Sequence, residues 1–238
     1  MKKQIKKLVP ESILKLYRKI SGKDPKYNSI FLGKPIEETF TEIYKTNHWG
    51  SNASISGAGS DNVQTETIVK ELGPLLKKLE AVSLLDIPCG DFNWMQKVDL
   101  SGISYLGGDI VEELVLENQR KFGRDEKVGF ARLNLLKDNL PKSDVLLVRD
   151  CLVHLSYADI FNALENIRSS GCTHLLTTTF PRHANHDIIT GDWRTLNLCS
   201  PPFNFPKPIL LINERCTEAN GLYADKSLGL WRITDLMK

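Results

Sequence analysis

The chain has 238 residues but no C-x-x-C pair, and its five cysteines, Cys89, Cys151, Cys172, Cys199 and Cys216, are odd in number and scattered. That spacing excludes a zinc ribbon and argues against a disulfide framework; thiols in apolar surroundings pack as small hydrophobes. No apolar run approaches the roughly 18 residues that a membrane span requires. The N-terminus also lacks the apolar core and small-residue cleavage site of a secretion signal, so a reducing cytoplasm is the expected compartment. An excess of one charge is missing as well: 31 basic residues against 29 acidic ones leave +2, which gives no global argument for a nucleic-acid partner. Neither an Asn-Pro-Pro-Tyr-type motif nor a broad basic stripe is present, and no nucleic-acid substrate is expected. There is no G-x-x-x-x-G-K-[ST] sequence for a P-loop nucleotide, no internal repeat and no low-complexity tract.

The length suits one α/β domain with an elaboration. Lysines and arginines crowd the first two dozen residues, among them Lys2, Lys3, Lys6, Lys7, Lys15, Arg18, Lys19 and Lys23. Between them Ile5, Leu8, Val9, Ile13, Leu16, Tyr17 and Ile20 recur at helical spacing, so residues 1–22 read as a basic amphipathic helix with Pro10 near its start and Gly22 as its stop. Such a face fits peripheral contact with an anionic membrane surface, here the inner one, or docking on a partner; it equally fits a solvated helix or a loose terminus. Residues 23–80 read as an N-terminal helical cap and linker. They hold a short helix at Phe40–Tyr44, then Trp49, a small-residue segment over 51–60, and a helix over 61–79 that Gly73-Pro74 should break or kink.

From Val82 onward strands and helices alternate. The strand candidates are Ser83–Asp86, Ser104–Asp109, Gly129–Leu133, Val145–Arg149, Thr173–Thr178, Pro208–Ile212 and Gly229–Ile233, with helices at Glu112–Lys121 and Tyr157–Ser169. Unbroken apolar strands alternating with helices predict a doubly wound, mostly parallel sheet over residues 81–238, with ligands bound outside the carboxyl ends of its strands. Two of those ends carry an acid: Asp86, followed by Pro88, Gly90 and Asp91, and Asp109. Side by side they would cradle a nucleoside, the glycine allowing close approach and the acid meeting ribose hydroxyls. The first turn lacks a complete G-x-G-x-x-G fingerprint, because Pro88 and Phe92 stand where that pattern wants small or left-handed residues. Asp91 would also repel a pyrophosphate. A nucleoside ligand without phosphates suits the turn better.

Four pieces of sequence sharpen this reading. They are Leu85-Asp86-x-x-Cys89-Gly90-Asp91, Tyr105-x-Gly-x-Asp109, Ala131-Arg132-Leu133-Asn134, and Asp144-x-x-x-x-Arg149-Asp150-x-x-x-His154-Leu155. Together they resemble the class I S-adenosylmethionine-dependent methyltransferases, over roughly residues 40–238. Trp49 with Ser56-Gly57-Ala58-Gly59-Ser60, Gly191-Asp192-Trp193-Arg194 and Pro201-Pro202-Phe203 resemble a bacterial subgroup linked to surface-polysaccharide or secondary-metabolite pathways. The resemblance implies a seven-stranded Rossmann-like methyltransferase sheet and S-adenosylmethionine as cofactor. It implies that Asp86 receives the methionine amino group, that Gly90 lets backbone lie against the cofactor, and that Asp109 accepts from the ribose hydroxyls. Asn134 would face the adenine amino group through its carbonyl, and Pro88, Ile110 and Arg149 complete the implied cofactor set.

The acceptor side follows the fourth and fifth strands. His154 is the candidate general base, because imidazole titrates near neutrality; a packed histidine in a helical turn is the competing reading. Asp150 would orient the acceptor or His154, or pair with an arginine. An acceptor loop is expected over residues 180–207. It carries Arg182, His183, Asp187, Asp192, Trp193 and Arg194, with Trp193 and Phe203 as stacking walls for a sugar or other ring and Arg182 or Arg194 holding an anionic group. His183 and His186 with Asp187 do not close a ligand set, so no metal is expected. The function expected is O-methylation of a small polar acceptor, such as a sugar hydroxyl of a glycan precursor. N- or C-methylation of another small molecule and an NAD-dependent oxidoreductase on a similar sheet are the alternatives.

Overall fold

The computed structural model describes residues 29–50 and 54–237, so the expected helix at 1–22 lies outside the described residues. Seven strands form one sheet: β1 (Ser83–Asp86), β2 (Ser104–Asp109), β3 (Val128–Arg132), β4 (Val145–Val148), β5 (His174–Thr179), β6 (Leu210–Asn213) and β7 (Ser227–Arg232). Their order is β3-β2-β1-β4-β5-β7-β6. Every pairing from β3 through β5 is parallel, and β7 runs antiparallel to both β5 and β6. Among the described residues four α-helices accompany the sheet: α1 (Ile36–Thr46), α2 (Asn62–Lys78), α3 (Glu112–Phe122) and α4 (Tyr157–Ser169). The doubly wound, mostly parallel sheet expected from the alternation is the one observed. Among the described residues no helix is long and apolar enough to cross a membrane.

The two-residue period of the strands divides the core between the two faces of the sheet. Leu85, Leu146, Val148 and Leu175 point to one face, where Ile160, Leu164 and Ile167 of α4 cover them. Leu84, Val145, Leu147 and Leu176 point to the other and meet Ile68, Leu72 and Leu76 of α2. Each such side chain contributes about 1.5–3 kcal/mol on burial, which is why the central strands read as uninterrupted apolar runs. Strand order reverses between β1 and β4, and a sheet of this kind opens its ligand crevice at that point.

Helix α2 departs from expectation. It is not broken at Gly73-Pro74 but continues through Pro74 to Lys78. Proline inside a helix costs about 3 kcal/mol, and the burial of Ile68, Leu72, Leu75 and Leu76 along one face outweighs that cost. Gly73 itself lies against the Asp99 backbone, where a Cβ would approach the carbonyl oxygen to 2.9 Å.

Candidate active site

A cavity of about 450 Å³ lies over the carboxyl ends of β1, β2 and β4. Asp86, at the tip of β1, is 2% exposed, and its Oδ2 accepts a hydrogen bond from the Tyr105 hydroxyl at 2.8 Å. Burial raises its pKa to about 7, against the opposing pull of the Tyr105 hydrogen bond and the Arg149 charge. Asp109, at the tip of β2, accepts from the backbone N–H of Val111 at 3.0 Å and of Gly90 at 3.2 Å. Burial pushes it up as well, to about 6, with those backbone donors opposing.

The turn between the two acids is built for close approach. Gly90 has φ +55°, and a Cβ there would lie 2.2 Å from Ser56 Oγ. Ser56 in turn donates towards Asp91 Oδ1 and accepts from the Asp91 N–H at 3.1 Å, while the Ile55 N–H donates to Asp91 Oδ2 at 3.2 Å. The described part of the small-residue segment therefore straps across the first turn, with Asp91 as its buckle. Phe92, a residue that departs from the glycine-rich pattern, nonetheless occupies the left-handed region (φ 57°). Its ring packs on Tyr105, Phe122 and Phe130 at centroid distances of 5.0–5.2 Å. Aromatic pairs of this kind add about 0.5–1.5 kcal/mol each beyond area burial, enough to offset a non-glycine left-handed residue.

Pro88, Ile110 and Asn134 also line the cavity. The Asn134 side chain is engaged on both atoms: Oδ1 accepts from the Leu136 N–H at 2.9 Å, and Nδ2 donates to Glu37 of α1 at 2.9 Å. One lone pair of Oδ1 is left for a ligand donor.

On the β4 side of the cavity sits a largely buried group of four charges, of which Arg149, Asp150 and Lys226 line it. Arg149 donates to the Gly59 carbonyl at 2.7 Å and to Glu214 Oε2 at 2.7 Å, and its guanidinium lies 3.3 Å from Asp150 Oδ2. Lys226 Nζ is 2.6 Å from Asp150 Oδ2 and 3.5 Å from Glu214 Oε2. Two cations face two carboxylates, so the set is neutral. Burial would lift the Asp150 pKa, but Lys226 and Arg149 hold it well below the usual carboxylate range. Burial would likewise discharge Lys226 and Arg149, and the facing carboxylates raise both instead. Asp150 is left-handed (φ 50°), with its N–H donating to Thr178 Oγ1 at 2.8 Å, which turns its side chain from the strand into the cavity wall.

His154 closes a short 3₁₀ turn, Leu152–His154, and lines the same cavity. Its Nδ1 is 3.1 Å from the Asp192 carbonyl oxygen. A carbonyl only accepts, so the proton resides on Nδ1 and Nε2 keeps its lone pair. Burial drives the pKa down to about 4, with Asp150 opposing. The near-neutral titration expected for this histidine therefore does not hold: the ring is uncharged throughout the physiological range. It stacks on Trp49 at 4.7 Å. Phe180, Trp193 and Tyr223 complete an aromatic wall, Trp193 lying 5.0 Å from Tyr223.

Of the six residues expected to bind the acceptor, Trp193 lines the cavity and five do not. Arg194 is 1% exposed and donates to the Leu152 and Leu155 carbonyls at 2.7 and 2.9 Å, so it braces the turn that carries His154. Asp187 accepts from the Tyr157 N–H at 2.7 Å at the start of α4. Asp192 accepts from Ser29 Oγ at 2.9 Å. His183 lies 3.3 Å from Asp225, and Arg182 is largely exposed beside the same carboxylate. Phe203 packs on Tyr157 and Phe161, away from the cavity. Three residues in or against the site went unread in the sequence: Glu214, Tyr223 and Lys226. For Glu214 and Lys226 the available signal was a polar residue immediately flanking each of the last two strands, and it becomes legible only once β7 is known to run backwards.

No protein-family model matches the chain, and no curated protein matches its sequence. Solved structures do match. Human N-acetylserotonin methyltransferase, determined in complex with S-adenosylmethionine, superposes with a TM-score of 0.56 at 17% identity, over 84% of this chain and 60% of that one. The chain thus spans about 60% of the length of that enzyme. The N-methyltransferase NodS from Bradyrhizobium japonicum matches with a TM-score of 0.54 at 14% identity, over 73% of this chain and 98% of that one. Magnesium protoporphyrin IX methyltransferase from Synechocystis, with bound S-adenosylmethionine, gives 0.50 at 16% identity, over 67% and 83%. The chain carries the seven-stranded Rossmann-like fold of these class I methyltransferases.

Proposed function

We propose that this protein is an S-adenosylmethionine-dependent methyltransferase that methylates a hydroxyl of a small ring-bearing acceptor, of which a sugar hydroxyl in a glycan precursor is the form expected from the sequence. The observation that carries the reading is a single cavity bordered by two acid-tipped neighbouring strands and continued by an aromatic wall around His154. The chain's residues fit the cofactor. Asp109 would hold the ribose hydroxyls and Asp86 the methionine amino group, in a turn opened by the missing side chain of Gly90. Asn134 and Leu133 would border the adenine, with Ile110 and Pro88 against its flanks. When bound, S-adenosylmethionine supplies an electrophilic methyl group on a sulfonium sulfur.

The chain's own part is alignment and proton management. Trp49, Phe180, Trp193 and Tyr223 would hold a ring face and keep water from it. His154 Nε2 would accept the hydrogen bond of the acceptor hydroxyl and so aim an oxygen lone pair. A histidine with a pKa of about 4 is a weak base, yet it suffices here. An oxygen acquiring a third bond becomes far more acidic than imidazolium, so the proton can pass late. Because Arg149 and Lys226 are neutralised by their carboxylates, the acceptor's reacting end would be uncharged.

Titration calorimetry with S-adenosylhomocysteine tests the reading. The wild type should bind it, and Asp109→Ala should weaken binding by about 1.5–3 kcal/mol, the scale of hydrogen bonds to a charged group. Binding of NADH in preference to S-adenosylhomocysteine would favour the oxidoreductase alternative. The acceptor itself would come from labelled S-adenosylmethionine incubated with fractionated extract of the source cell.

A further inference from the structure

Tyr105 stands directly behind the cavity wall. Asp86 lines the cavity and Tyr105 does not, yet the tyrosine hydroxyl donates to Asp86 Oδ2 at 2.8 Å. Among the described residues no hydrogen bond reaches Oδ1 of the same carboxylate. Tyr105 is 2% exposed, and its ring is gripped by Phe92 at 5.1 Å and Phe130 at 6.0 Å. A donor fixed so firmly prevents the carboxylate from turning about its last bond. A buried phenol also keeps a hydrogen-bond partner at some cost in sequence freedom, since phenylalanine would fill the same apolar volume.

We infer that Tyr105 is a positioning residue for the amino-acid end of the cofactor: it holds one oxygen of Asp86 and thereby aims the other at a ligand ammonium group. This rests on the cofactor reading above and adds the residue that makes one strand-tip acid selective for an amino group. Asp109, which takes its hydrogen bonds from backbone, has no such side-chain brace.

Two nucleosides separate this role from simple packing. S-adenosylhomocysteine carries the α-amino and α-carboxyl groups, and 5′-methylthioadenosine lacks both while keeping the adenosine and the thioether. In calorimetry, Tyr105→Phe should bind S-adenosylhomocysteine about tenfold more weakly than wild type, the scale expected when a charge-assisted contact is lost or misaligned. Its affinity for 5′-methylthioadenosine should stay within about twofold, which also certifies that the cavity is folded. Asp86→Asn should show the same selective loss, and adding Tyr105→Phe to it should change nothing further, because both act through one contact. Equal losses for the two nucleosides, or an unchanged affinity for S-adenosylhomocysteine, would overturn the inference. A wild-type protein that binds neither nucleoside would overturn the cofactor reading and this inference with it.

Discussion

Lys226→Met tests the buried charge set most severely. In the wild type Arg149 and Lys226 balance Asp150 and Glu214 in a space where Lys226 and Glu214 are 4% and 2% exposed. Removing the ammonium leaves one carboxylate without compensation, and breaking a buried pair in this way costs about 3–5 kcal/mol. For a domain of this size each kcal/mol shifts the melting temperature by about 2–4 °C, so a drop of about 6–20 °C is expected. The pH dependence has a definite sign. Asp150 has a depressed pKa in the folded wild type, so its contribution is present above the unfolded carboxylate value and lost as pH falls through the folded one. In the variant burial acts on Asp150 without Lys226, its pKa rises, and acidification relieves the surplus charge. The gap between wild type and variant should therefore be widest near pH 8 and narrow towards pH 5, read by thermal melts in circular dichroism. Adding Glu214→Gln should recover more than half of the loss, because it restores neutrality. Melting of Lys226→Met within about 2 °C of wild type at pH 8 would refute the argument, since it implies less than the smallest cost of an unpaired buried charge.

His154→Ala should leave S-adenosylhomocysteine affinity nearly intact and slow methyl transfer to the extract-derived acceptor by about a hundredfold, the lower range for a general base. Undiminished turnover would assign the ring to packing against Trp49. Gly90→Ala should lower both cofactor affinity and melting temperature, because its backbone is left-handed and its Cβ would meet Ser56 Oγ at 2.2 Å. The backbone part alone costs about 1–2 kcal/mol, and wild-type behaviour of the variant would mean that the strap does not rest there. Cofactor affinity should fall as pH drops from 8 to 5, since Asp86 and Asp109 titrate near 7 and 6 and a protonated carboxyl no longer attracts an ammonium or accepts as well from hydroxyls. Stability of the ligand-free protein should move oppositely. Both folded pKa values are raised, so this contribution is full below the unfolded carboxylate value and is lost as pH rises through 6 and 7. Calorimetry and melts across that range check the two trends together.

Much of the parallel half was legible because its signals are local. β1, β2 and α4 begin and end at the expected residues, and Asp86, Gly90 and Asp109 fall together because strand-end position is itself encoded in short apolar runs. The remaining strands differ from expectation by one or two residues at their ends, the last beginning two residues early, at Ser227. What escaped was long-range. A histidine's burial, and hence its depressed pKa, depends on Trp49 and Asp192 from distant segments. The polar loop after β5 looked like a binding surface because it is rich in charge. Arg194, Asp187 and Asp192 instead satisfy backbone and side-chain partners within the fold, a use that composition alone does not distinguish from ligand recognition. Pro74 misled in the opposite direction, because a strong local signal was overruled by packing.

The position of β7 between β5 and β6 has a consequence for assembly. β6 precedes β7 in the chain, yet β7 supplies its pairing in the sheet, so after β6 has been synthesised it has no berth until the final strand slides in beside β5. That same insertion carries Lys226 to the edge occupied by Asp150 and draws Glu214 onto Arg149. A chain in which β7 has not yet paired would thus hold the acids at the tips of β1 and β2 without the ion cluster around Asp150, so the two ends of the cavity are completed at different stages of folding.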